Sequence, residues 1–201
     1  MDSGEGGIGW EESGVIIMPL STFLSYFHSI LVHVPWWHWA VICILTLTVF
    51  LLSQKKGSVY GAIVLSVTVF IGLLLLDTAV ASRFFMIHPH ATGTAFKIDW
   101  ARLFHGSDRN RVELISNVVV FVPFGFFLSE SLSSLKRLGV WRQIGYVTLA
   151  SFLLSLCIEC MQLFFRVGFF EVTDLVLNTV GGFVGAGVAM VGRKVLGVKR
   201  R

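Results

Sequence analysis

The sequence is short of charge, of proline and of cysteine. Asp, Glu, Lys and Arg make up 14% of its 201 residues, against about 25% in an ordinary soluble domain. None of the four occurs in the 41 positions from Gly14 to Gln54. That scarcity excludes a disordered chain, which needs charge and low hydrophobicity, and argues against a soluble enzyme. Three cysteines, Cys43, Cys157 and Cys160, are too few for a disulfide-built secreted domain, and each sits in an apolar run. Cys157 and Cys160 form a C-x-x-C without a second Cys/His pair nearby, so ordinary packing accounts for them. What is present is apolar: hydrophobic residues reach 55% and the mean hydropathy is +0.78. The chain reads as an all-α integral membrane protein.

Five stretches have the roughly 20 apolar residues that a helical span requires: 36–53, 59–82, 114–129, 143–165 and 172–192. The third is short and holds Pro123, which predicts a kinked or partly broken helix. Before them, residues 1–35 comprise an acidic start and an amphipathic segment. Leu20, Phe23, Leu24, Phe27, Ile30 and Leu31 repeat at helical spacing opposite Ser25, His28, Ser29 and His33. This pattern predicts an interfacial helix lying on the membrane; the alternative is a sixth span. Residues 36–192 then form the transmembrane bundle, interrupted by a long loop at 83–113, and 193–201 form a basic tail.

Ten basic residues, including Lys55, Lys56, Arg142 and the tail, fall on one side of this topology, and six, including Arg83, Arg102 and Arg166, fall on the other. The positive-inside rule places the C-terminus in the cytoplasm. The net charge of +4 suits an anionic membrane surface better than nucleic acid, because most basic residues flank spans. The acidic start lacks the basic region of a cleaved signal, so no cleavage is expected.

Formal charges inside the spans are few: Asp77, Glu159 and Asp174. Each costs at least about 2.5 kcal/mol at bilayer depth and needs a reason. Asp77 stands one turn before the end of its span, where it is expected to reach the interface. Gln162 follows Glu159 at helical spacing, Asn178 follows Asp174, and Asn117 lies near the start of the third span. Three helices therefore offer carboxylates and amides at one depth, with Arg166 just above as a positive group. Two bare carboxylates repel, so Glu159 and Asp174 call for a proton, for Arg166, or for a divalent cation between them. His88 and His90 make too small a set for a metal site, and no resident metal or cofactor is expected. In the last span Gly181 and Gly185 form a small-xxx-small face, suited to packing within the bundle, to a dimer, or to a membrane partner.

These same residues resemble the three signatures of VanZ-like membrane proteins. The motifs are Asn117-Val-Val-Val-Phe121-Val-Pro123-Phe-Gly125, Glu159-Cys-Met-Gln162 and Asp174-Leu-Val-Leu-Asn178-Thr-Val-Gly181, in the family's order and spacing over residues 59–192. One position departs: members commonly carry an arginine six residues before the aspartate, where this chain has Gly168, with Arg166 two positions earlier. The family takes its name from a protein that lowers susceptibility to the lipoglycopeptide teicoplanin. The resemblance implies a multi-pass protein of the bacterial cytoplasmic membrane with an envelope role, and it supplies no reaction.

Three functions follow as expectations. The first is binding of a lipid-linked envelope precursor or lipoglycopeptide in an outer-leaflet polar pocket of Asn117, Glu159, Gln162, Arg166, Asp174 and Asn178. The second is an intramembrane hydrolase or transferase with Glu159 and Asp174 as catalytic acid and base, although no nucleophile is evident. The third is a structural subunit that docks a membrane partner through the last span.

Overall fold

The computed structural model describes residues 35–54, 59–81, 94–95, 108–131 and 139–196, together with 21, 24, 25 and 28. The architecture is five long helices: α1 (Trp36–Gln54), α2 (Val59–Leu76), α3 (Asp108–Ser131), α4 (Val140–Phe164) and α5 (Val172–Val195). All five are long and apolar enough to cross a membrane. The four described residues of the amphipathic segment, Ser21, Leu24, Ser25 and His28, are helical and exposed. The choice between an interfacial helix and a sixth span otherwise falls on residues outside those described, as do His88 and His90.

Two boundaries depart from the sequence reading. α3 begins at Asp108 rather than Leu114, inside the expected loop, and it runs unbroken through Pro123 to Ser131. Hydropathy marks only the part of a helix that sits in lipid, whereas backbone hydrogen bonding carries the helix past it. Pro123 removes one donor, but the tightly buried Phe121 and Phe124 on either side hold the helix in register. The second departure is at the end of α2, where residues Asp77–Ala81 form a π-helical turn. Such turns free backbone carbonyls and recur at functional positions.

The bundle is polar within and apolar without, as expected of a chain solvated by lipid. Leu45, Leu51, Leu52, Phe164, Val188 and Val191 are exposed, whereas Ser66, Thr68, Ser129, Ser151 and Ser155 are buried. Several of the buried hydroxyls donate to the carbonyl one turn back, as Ser66 does to Ala62 at 2.8 Å and Ser151 to Val147 at 3.0 Å.

With no hydrophobic drive between helices in lipid, close backbone approach does the packing. α5 lies against both α3 and α4. A Cβ on Gly181 would fall inside the Val118 carbonyl, one on Gly185 inside that of Val122, and one on Gly182 inside the Ser151 hydroxyl. Gly181, Gly182 and Gly185 of α5 are therefore taken up by α3 and α4 of the same chain, whereas Gly187 and Gly192 have open space beside them. α1 is peripheral and packs on α2, with 11% of its span buried against 39% for α3.

An apolar cluster of Leu75, Val80, Phe121, Phe124, Ile158 and Val167 joins α2, the π turn, α3, α4 and the α4–α5 connection. It sits at the end of the bundle where Glu159 lies. On that end, Thr94–Ala95 pairs in parallel with Phe170–Glu171, a two-residue ladder. Thr94 and Ala95 are thereby set beside the start of α5.

Candidate functional site

The chain leaves α4 through a complete Schellman motif. The Arg166 amide donates to the Leu163 carbonyl at 3.3 Å and the Val167 amide to the Gln162 carbonyl at 3.0 Å, with Val167 buried beside Ile158 and Met161. Arg166 takes the left-handed position of the motif at φ 56°, where glycine is the usual occupant. This turn brings Glu171, the residue that opens α5, back to α4. The Glu171 amide donates to Glu159 Oε2 at 2.9 Å. Glu159 is 2% exposed, and Asp174, half-buried, stands in the first turn of the same helix. Both carboxylates therefore lie at the positive end of the α5 dipole. Backbone N–H groups and that dipole favour negative charge there.

Amides surround them. Gln162 Nε2 donates to the Ala79 carbonyl in the π turn at 3.1 Å, and Asn178 Nδ2 donates to Ser155 Oγ at 2.9 Å. The other end of Asn178, Oδ1, is buried with no hydrogen-bond partner among the described residues. So are Asn117 Nδ2 and Ser116 Oγ on α3. Unpaired buried polar atoms cost about 1–3 kcal/mol each and are rare in native structures without a ligand, water or functional reason.

The structure brings Glu159, Gln162, Asp174 and Asn178 to one end of α4 and α5, as the motif spacing predicts. Arg166 is exposed on the turn rather than set among the carboxylates; its backbone conformation turns it outward. Cys157 and Cys160 face outward, exposed. Among the described residues no group of three or more His, Cys, Asp or Glu side chains could hold a metal ion.

Asp77 requires a correction. It does not stand exposed at the end of its span but is buried at 8% exposure, in contact with His38 through Oδ1 and Nδ1, and His38 is itself 3% exposed. The partners lie 39 positions apart on α1 and the π turn, beyond any helical periodicity. The signal in the sequence was Asp77 itself, since a charge in a span demands a partner. His38 is concealed among Trp36, Trp37 and Trp39, a composition typical of a membrane interface.

Five apolar helices, buried polar residues facing inward and a carboxylate–amide cluster at one bundle end define a polytopic helical membrane protein. The VanZ/LLP1 family matches residues 37–193, and the chain belongs to that family. This match includes α1, which the three motifs left uncovered. A relative, Protein VanZ of Enterococcus faecium, is 38% identical over 73 residues, or 36% of this chain and 41% of that protein. The match thus spans less than half the length of that relative. No solved structure matches.

Proposed function

We propose that this VanZ-family protein binds a lipid-linked or lipoglycopeptide-like ligand at the outer leaflet of the bacterial cytoplasmic membrane, and that it acts in teicoplanin-type resistance through that binding. The observation that carries the reading is the set of buried polar atoms without a hydrogen-bond partner among the described residues, Asn178 Oδ1 on α5 and Asn117 Nδ2 and Ser116 Oγ on α3, two helices that pack against the α4 of Glu159. An amide with one end engaged and the other open in a dry bundle is matched to the hydroxyl and amide groups of a sugar or peptide headgroup. Glu159 and Asp174 take donors from the ligand, and exposed Arg166 at the rim takes an anionic group. The ligand's acyl chains extend along the exposed Leu, Val and Phe of the helices. In this reading the C-terminus is cytoplasmic, which puts the Glu159 end outside.

The test is mass spectrometry of lipids retained by the protein purified in nanodiscs. Wild type retains a defined envelope lipid. Glu159→Gln folds, because its amide oxygen still accepts from Glu171, but loses that species. Glu159→Leu is also less stable by about 1–3 kcal/mol, from the stranded amide. Wild-type protein that retains only bulk phospholipid, or a Glu159→Leu protein with wild-type stability and full resistance, overturns the reading.

A further inference from the structure

We propose that Asp77, held by His38, is a second ligand-binding group on this protein, taking the ammonium or hydroxyl of a membrane amphiphile; it rests on the outer-leaflet reading above. Asp77 uses only one of its two oxygens. Oδ1 meets His38 Nδ1, while Oδ2 is buried with no hydrogen-bond partner among the described residues. A carboxylate oxygen accepts and never donates. Its complement is therefore an N–H or O–H group, and an anionic headgroup is repelled. An acceptor left open inside a membrane protein is costly and marks a functional position.

The surroundings suit an amphiphile. Trp36 and Trp37, exposed beside His38, belong at headgroup depth. α1 is the least buried helix, so lipid reaches this flank from the side. The Trp37 ring stands edge-on to His38 at 3.8 Å between centroids and fixes the imidazole, which in turn fixes Asp77. The π turn that carries Asp77 also presents the Ala79 carbonyl to Gln162. The short segment that holds Asp77 thus also touches α4, the helix that holds Glu159.

The probes are single-chain amphiphiles that differ only in headgroup: dodecylammonium, dodecanol and dodecanoate, each at the same mole fraction in phosphatidylcholine nanodiscs. The Tm of wild type should rise by roughly 2–4 °C with a donor headgroup relative to dodecanoate. A larger rise with dodecylammonium than with dodecanol identifies charge as the determinant; equal rises identify hydrogen bonding. Asp77→Asn abolishes the selectivity, and Glu159→Gln keeps it, so the two sites fail independently. His38→Gln, whose amide can still donate towards Oδ1, also keeps it and serves where Asp77→Asn is too unstable to read. Equal shifts for all three headgroups in wild type, selectivity retained in Asp77→Asn, or selectivity lost in His38→Gln overturn the proposal.

Discussion

The two ends of the bundle each bury an amide side chain between helices, and they treat it differently. At the end remote from Glu159, Gln143 is fully engaged. Its Nε2 donates to the Ser129 carbonyl at 2.9 Å and to Ser129 Oγ at 3.2 Å, while its Oε1 accepts from Arg193 at 3.2 Å. Arg193 also pairs with Glu130 at 3.0 Å. One amide thus ties the end of α3, the start of α4 and the end of α5 together. At the other end Asn178 engages only Nδ2, and Asn117 Nδ2 has no acceptor among the described residues. The same functional group is a closed joint in one place and an open socket in the other. Polar residues in a membrane bundle thus do not by themselves mark a site; hydrogen-bonding capacity left unused does.

The contrast can be broken by substitution. Arg193→Met should have the largest effect on stability. It removes the partner that Glu130 and Gln143 share, a loss of about 3 kcal/mol, read as a fall in Tm in nanodiscs. The retained lipid of any protein that still folds should be unchanged. Gln143→Leu comes next, at about 2 kcal/mol, because both Ser129 and Arg193 lose a partner. Asn178→Leu should cost about 1 kcal/mol or less, since Ser155 can turn its hydroxyl to its own helix. Yet it should reduce retained lipid more than either of the others. A reversed order, with Asn178→Leu the most destabilising and lipid retention untouched, would make the Glu159 end a joint like its counterpart.

Much of this was legible before folding. Uncharged runs of helical length announced five spans, because lipid tolerates neither charge nor unpaired backbone over that distance. Glu159 with Gln162 and Asp174 with Asn178 were legible as pairs because helical geometry relates positions three or four apart. The unbroken course of α3 through Pro123 was not, because the loss of one backbone donor is outweighed by packing from α5 and from the cluster around Phe121. The glycine stripe of α5 announced a close approach, but no one-dimensional pattern names the partner. Only the fold placed Val118, Val122 and Ser151 against it.

The sequence alone therefore determined the class of protein, the course of five long apolar helices and the family, since each rests on local hydropathy or on residues close in the chain. Tertiary structure decided that Glu159 is answered by the amide of Glu171, that Gln162 reaches the π turn and that Asp77 is held by His38. The physical reason is distance along the chain. A charge or amide buried in lipid must find a partner, but the partner is chosen by which helices pack, and packing joins residues as far apart in the chain as Ala79 and Gln162, 83 positions.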